Sequence, residues 1–333
     1  MLECDVVKAI VQRGYGPPGV LSLEDVDRPS VEDDEVLVRV AAASLNVLDW
    51  RKMRAKPFVV RSEGLRRPRQ PVLGVDASGV VEAVGSEVTH LRPGDEVFGI
   101  GKGALAEYTV GKTFAPKPAN LTFEQAAAVP VAGSTALQAV RDIAKVEAGR
   151  RVLVNGAGGG VGHLIVQVAK VFGAHVTATT RRASVEFVRS IGADEVIDYT
   201  ADDFRSRGQR YDAIFEVGGG LTLRGCRSAL APSGRLVFVG AGAGVTGPIG
   251  RFAGATLRAK VMRQPVVAFV SWESTEDLLT LKDLIEARKV TPAVDRAYTL
   301  AESVDAVRFL EAGGVRGKVV IKILRDGPRG GLT

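Results

Sequence analysis

RVLVNGAGGGVGHLIVQVAKVFG occupies residues 151–173. Its first five residues centre on an apolar, valine-rich core, Val152-Leu153-Val154, as a buried strand requires, and its last dozen are the apolar-rich text of a helix. Between them, GAGGGVG (156–162) reads as Ala157-x-Gly159-x-x-Gly162. A small residue in the first slot permits the tight turn. Gly159 lets backbone approach a pyrophosphate, Gly160 and Val161 complete the turn, and Gly162 lets helix and strand pack closely. The helix would then open with free N–H groups directed at phosphate oxygens. A glycine string alone is weak evidence, so the surrounding pattern has to carry the reading.

It does so by alternation. HVTATT, EVIDY, YDAIFEV and GRLVFVGA are strand-like, and VEFVRSIG and LRGCRSAL between them are helical. Repeated strand–helix–strand units with nearly continuous apolar strands predict a parallel, doubly wound sheet covered on both faces. The end of its second strand selects the nucleotide. An acid there would bind the adenosine ribose of NAD, but the chain offers Thr179, Thr180, Arg181 and Arg182. A positive pocket suits a 2′-phosphate, so the expected cofactor is NADP(H), with Tyr199 flanking the adenosine end. Two arginines capping a surface turn is the plainer alternative.

The first third is different. DVVKAIVQ, VLSLEDV, EVLVRVAAASL, GVVEAVG, DEVFGI and AEYTVGK are short, punctuated strands, which predicts a small antiparallel barrel or sandwich with one or two long loops. Helical text starts after Leu121, with Thr122 and Ser134 as expected caps, and Pro130 marks a break. The expected domains are therefore 1–128 with 268–333, and 129–267. The tail is assigned to the first because its closing strand, GKVVIKI, is apolar enough to pair back onto a sheet.

A chain of 333 residues with 46% hydrophobic and 25% charged residues suits two such cores. No apolar run approaches the roughly eighteen residues of a membrane span, and no signal peptide is legible. Cys4 and Cys226 lie far apart without metal or redox spacing, so a reducing, cytoplasmic setting is expected. The net charge of +6 is spread out and lacks interleaved aromatics, which argues against nucleic-acid binding. One denser run, Arg51–Arg69, holds eight basic residues against Glu63. It reads either as a solvated loop or as a docking surface for an anionic partner, a membrane or an acyl-thioester of phosphopantetheine or coenzyme A.

Taken together, SLNVLDW (44–50), PVLGVDASGVVEAVG (71–85), LRPGDEVFG, AAAVPVAGSTALQA, NGAGGGVG, IGADEVIDY and GGVRGKVVI resemble the medium-chain dehydrogenase/reductase superfamily across nearly the whole chain. The resemblance implies a GroES-like β-barrel followed by a Rossmann domain. Zinc-dependent members carry metal ligands where this chain has Asn46, Val75 and Val131, and Asp76 alone is kept. Apolar side chains cannot hold Zn²⁺. The pattern is instead similar to the zinc-independent quinone oxidoreductase and enone reductase branch. By that resemblance Asn46 and Asp49 line the nicotinamide cleft as catalytic residues, Thr135 contacts the carboxamide region, and Val239, Gly240 and Ala241 flank the ring. Read only as local structure, Asn46 is a turn residue and Asp49 a helix cap. The resemblance also implies a homodimer. It departs from the branch at Ala183, where a basic residue is common, which leaves the phosphate to Arg181 or Arg182.

Three functions stay open on this reading: NADPH-dependent reduction of enones or quinones, oxidoreduction of another carbonyl or enoyl substrate within a pathway, and a non-catalytic nucleotide-binding or interaction role.

Overall fold

The computed structural model describes residues 6–55, 64, 67–240 and 264–323, and the chain divides into two compact units. One comprises Met1–Pro130, Arg296–Gly313 and Val319–Thr333, the other Val131–Asp295 and Gly314–Lys318.

In the first unit, β1 (Val6–Gln12) pairs antiparallel with β2 (Leu21–Asp27). Next come β3 (Val36–Leu45), α1 (Val47–Arg54), β4 (Asp76–Val84), β5 (Glu96–Lys102) and β6 (Tyr108–Pro116). Strands β3 to β6 pair antiparallel in sequence, and β6 returns to β3 through Val36↔Gly111 to Arg39↔Tyr108. That return closes the four strands on themselves and removes an edge, so of the two architectures the strand text allows, barrel and sandwich, the fold is the barrel. Helix α2 (Phe123–Ala127) opens on Thr122, whose hydroxyl accepts the Gln125 N–H at 3.3 Å, the expected cap.

The second unit opens with α3 (Pro130–Gln138). Pro130 fits the first helical turn, where its missing N–H is no loss. Ser134, expected as a cap, instead lies inside this helix and is buried. Then follow β7 (Arg151–Asn155), α4 (Gly162–Val171), β8 (His175–Thr180), α5 (Val185–Ser190), β9 (Glu195–Asp198), β10 (Tyr211–Glu216), α6 (Leu223–Ala229), β11 (Leu230–Val239) and β12 (Val266–Phe269). The sheet order is β12-β11-β10-β7-β8-β9, with every neighbour parallel. The chain winds one way from β7 and the other way from β10, so the carboxyl ends of those two strands form the switch point where ligands bind such sheets. Leu153, Ile214, Leu236, Phe204, Tyr211 and Leu230 build one side of its core.

The expected return to the first domain at residue 268 comes later. A boundary there would cut β12, and α7 (Thr275–Glu286) packs on the second unit. Its stripe of Leu278, Leu281 and Ile285 is buried, and so is Asp277, which accepts from Gln138 Nε2 at 2.6 Å and Arg141 Nη2 at 2.7 Å. The chain leaves that unit within β13 (Val294–Thr299) and continues through α8 (Ser303–Ala312) to β14 (Lys318–Lys322), the last described strand. Strand β14 pairs antiparallel with β3, Val319↔Leu45 onward, as the apolar closing strand predicts.

Candidate active site

The glycine turn is built from β7 outward. The N–H groups of Gly156 and Ala157 both reach the Thr179 carbonyl, at 3.2 and 3.1 Å, which ties the turn to the end of β8. Gly162 has no room for a side chain: a Cβ there would stand 2.2 Å from the Gly156 carbonyl oxygen and 2.9 Å from Ala157 Cα. At Gly159 the same test finds only one atom, the Gly156 oxygen at 3.7 Å. One glycine is thus required by helix–strand packing, and the other leaves an open cradle over the turn. The first turn of α4 carries no acid, and among the described residues no acceptor takes the N–H groups of Gly160, Val161 or Gly162. A dinucleotide pyrophosphate fits such a helix opening.

His163, fully buried, locks this turn in place. Its Nδ1 lies 3.0 Å from the Gly159 carbonyl oxygen, and its Nε2 accepts the Ala293 N–H at 3.2 Å. Only the neutral ring protonated at Nδ1 satisfies both partners. Burial accordingly pushes its pKa down to about 4.

At the end of β8 the predicted residues divide. Thr179 is buried and its hydroxyl donates to Asn155 Oδ1, while Asn155 Nδ2 donates to Glu216 Oε2 at 2.8 Å and the Gly219 N–H donates to Glu216 Oε1. This chain braces the carboxyl ends of β7, β8 and β10, and the sequence reading did not anticipate Asn155 or Glu216. Arg182 is exposed and lies in the field of Asp198, whose carboxyl is held below its usual range by the Thr200 hydroxyl first and by Arg182 in lesser part. Arg181 is half-buried and sits against Gly314. Tyr199 is exposed, with its N–H on the Thr180 carbonyl at 3.0 Å.

Thr135 is buried on α3, and its hydroxyl donates to the Val131 carbonyl at 2.6 Å. Having one proton, it must accept from the Ser271 hydroxyl, 2.9 Å away. Ser271 is a neighbour 136 positions distant that no motif announces. The segment carrying it is clamped by Gln138, which gives Nε2 to the Trp272 carbonyl at 2.9 Å and accepts the Trp272 N–H at 3.1 Å. Val239 ends β11 buried, and Gly240 follows with its N–H on the Phe269 carbonyl. Ala241 lies outside the described residues.

In the first unit, Asn46 caps α1, and the Asp49 carboxylate accepts the Asn46 backbone N–H at 2.6 Å. Asp49 is buried, so the cap reading of that residue is realised in the fold. Asn46 Nδ2 donates to Asp76 Oδ2 at 3.0 Å, and the Ser44 hydroxyl donates to the same oxygen at 2.9 Å. The β3–β4 register, Ser44↔Asp76, sets this meeting. Asp76 is fully buried and its neighbour Val75 is apolar. Among the described residues no three His, Cys, Asp or Glu side chains converge as a metal site would require.

Among the described residues, two arginines of the basic run are engaged within the fold. Arg51 is buried and stands 5.6 Å from the Trp50 ring centre, and Arg54 pairs with Glu311 at 2.7 Å. Lys56, Arg61 and Arg66 lie outside the described residues. Arg67 and Arg69 line a cavity of about 550 Å³ with Gln12, Arg13, Gly64, Pro68 and Pro71. Arg13 is paired with Glu24.

Two family profiles match the chain: the "Alcohol dehydrogenase GroES-like domain" over residues 32–119 and the "Zinc-binding dehydrogenase" over residues 191–321. It is 35% identical to the 2-methylene-furan-3-one reductase of Solanum lycopersicum, covering 95% of this chain and 79% of that protein. Identity is also 35% to the chloroplastic NADPH-dependent alkenal/one oxidoreductase of Arabidopsis thaliana, with the same coverage of each chain. The structure of the quinone oxidoreductase from Coxiella burnetii superposes with a TM-score of 0.86 at 33% identity, covering 96% of this chain and all of that one. The barrel, the doubly wound sheet with its glycine turn and these full-length similarities agree: the chain belongs to the medium-chain dehydrogenase/reductase superfamily, in the branch of quinone oxidoreductases and enone reductases.

Proposed function

We propose that this protein is a zinc-independent, NADPH-dependent reductase that delivers hydride to the β-carbon of an α,β-unsaturated carbonyl, or to a quinone. The observation that carries the reading is the pair of polar constellations just described, a phosphate-ready turn at α4 and an Asn46–Asp76–Ser44 cluster where metal-dependent relatives hold zinc. The activities for which the relatives are named support the same class.

Bound NADPH would supply the hydride. Gly159, Gly160, Val161 and the N-terminus of α4 would hold its pyrophosphate, and Arg181 its 2′-phosphate through charge-assisted bonds of about 1.5–3 kcal/mol each. Thr135, its own proton committed to Val131, offers a lone pair to an amide N–H such as that of a carboxamide. Hydride arriving at a β-carbon leaves negative charge on the carbonyl oxygen. An amide donor held by a buried carboxylate, as Asn46 is, stabilises such an oxyanion by about 3–4 kcal/mol in comparable sites. Asp49 fixes the backbone that carries Asn46. With His163 neutral and braced, we assign the α-carbon proton to solvent, which gives a shallow pH profile near neutrality.

We place the enzyme in a reducing cytoplasm as a homodimer. In support, the two cysteines lie far apart without metal or redox spacing, and among the described strands β12 is the outermost of its sheet, beside exposed Val270 and Trp272. The test of the activity uses 4-deuterated NADPH with a panel of enones and quinones. Deuterium at the β-carbon of the enone product is expected. Deuterium on the carbonyl carbon would make this a ketone reductase, and no turnover across the panel would favour a non-catalytic role.

A further inference from the structure

Between α8 and β14 the chain lays a short strap, Gly314–Lys318, on the second unit. The strap is fastened along its length. The Gly317 N–H donates to the Gly158 carbonyl of the glycine turn at 2.9 Å, the Lys318 N–H to the Ala293 carbonyl at 2.9 Å, and the Arg316 N–H to Asp295 Oδ2 at 3.0 Å. Its first residue, Gly314, has φ +94°. A Cβ at Gly314 would stand 2.6 Å from Arg181 Nη2, 3.0 Å from Nη1 and 3.2 Å from Cζ. The guanidinium group therefore occupies the space that any side chain at this position would need.

We propose that Gly314 is a specificity-determining position for the cofactor: its bare backbone is the seat that holds the Arg181 guanidinium at the end of β8, where a 2′-phosphate is read. This rests on the assignment of that phosphate to Arg181. An unseated arginine must give up much of its rotamer freedom when it grips a phosphate, whereas a seated one has lost part of it already, so the seat strengthens NADPH binding in particular. NADH, lacking that phosphate, gains nothing from it. Arg182, exposed and beside Asp198, has no such seat.

A side chain at 314 need not undo the fold, because the three nearest atoms it would meet all belong to the far end of a flexible side chain. Arg181 would swing away instead. The positive φ adds a separate backbone strain for any L-residue, and the experiment has to tell the two apart. Dissociation constants for NADPH and NADH are measured on the wild type, Gly314→Ala, Gly314→Asn, Arg181→Ala and the double variant Arg181→Ala/Gly314→Ala, each with a thermal melt. Asn tolerates left-handed backbone better than Ala and keeps the test open if the Ala variant does not fold. Gly314→Ala is expected to weaken NADPH by about tenfold, the loss of one charge-assisted contact, and to leave NADH little changed. In the Arg181→Ala background the same substitution should no longer discriminate between the two cofactors. Equal affinity of the wild type for both cofactors would overturn the assignment to Arg181 and this inference with it. Loss of preference in Arg181→Ala with full preference in both Gly314 variants would overturn the inference alone. So would an equal loss of both cofactors in the Gly314 variants, which would mark a backbone effect.

Discussion

Asn46 gives its side-chain amide to the buried carboxylate of Asp76, Nδ2 to Oδ2 at 3.0 Å, and Ser44 donates to the same oxygen. The amide is thereby oriented by a group with which it shares no element: Asn46 caps α1 and Asp76 begins β4. Orientation of a donor before substrate arrives is what gives such a contact value in the transition state.

Removing the donor should therefore act on turnover. Asn46→Ala is expected to lower kcat by about 100-fold while KM changes far less. Asp76→Ala should lower kcat through the loss of that orientation and also destabilise the first unit by about 1–3 kcal/mol, because the buried Ser44 hydroxyl loses its acceptor. Steady-state kinetics and urea unfolding on both variants check this. An Asn46→Ala enzyme with unchanged kcat and raised KM would assign the residue to ground-state binding only.

The glycine turn offers a paired test of fold against ligand. Gly162→Ala drives a methyl group against the backbone of Gly156 and Ala157 and should destabilise the second unit by about 1–3 kcal/mol, lowering the melting temperature. Gly159→Ala meets nothing within 3.4 Å in the fold, so its melting temperature should match the wild type. Its methyl group would stand in the open cradle, and NADPH affinity should fall by about tenfold or more, as one lost backbone-to-phosphate contact would predict. The reverse pattern would move the pyrophosphate off this turn.

These two glycines show what the chain discloses locally and what it hides. The strand, turn and helix of 151–173 are contiguous, so periodicity and a small-residue pattern suffice to read them. The strands of the first unit were legible as short punctuated runs, although the β6-to-β3 closure that makes them a barrel rather than a sandwich was not. Ser271, Glu216 and Gly314 were not foreseen, because each acquires its role from a partner far along the chain, Thr135, Asn155 and Arg181 respectively. The paired glycines at 313–314 both take positive φ in the fold, but nothing local names the group that fills the space at Gly314. Helix α7 was misassigned for a related reason: its stripe of Leu278, Leu281 and Ile285 announces burial without naming the core, and the residue that decides, Asp277, looks like an exposed first-turn acid until Gln138 and Arg141 are beside it.

Zinc offers a direct chemical check. With an amide at Asn46, apolar side chains at Val75 and Val131, and Asp76 already accepting two donors, the donor set suits no tetrahedral Zn²⁺. Elemental analysis of the purified protein should find zinc well below one per chain, and prolonged chelation should leave the rate of enone reduction unchanged. Stoichiometric zinc that is lost together with activity would overturn the zinc-independent reading.

The buried His163 ties cofactor binding to acid stability. In the fold its pKa is pushed down to about 4 from the ordinary 6.5, chiefly by burial. In the unfolded chain it takes up a proton near the ordinary value, so acid favours unfolding. The stabilisation of the neutral ring is complete above about pH 6.5, declines as pH falls, and is lost by about pH 4, a total of about 3 kcal/mol. A proton on Nε2 would face the Ala293 N–H, leaving that donor opposed as well as unpaired. Because the same ring holds the Gly159 carbonyl, loosening it should release the turn, so NADPH affinity should drop in this pH window along with stability. His163→Gln can keep one of the two hydrogen bonds and has no titrating group. It is expected to be less stable than the wild type at pH 7 but to show a flatter dependence between pH 6.5 and 4.5, read from urea midpoints. Parallel pH curves for the two proteins would mean that other groups set the acid limit.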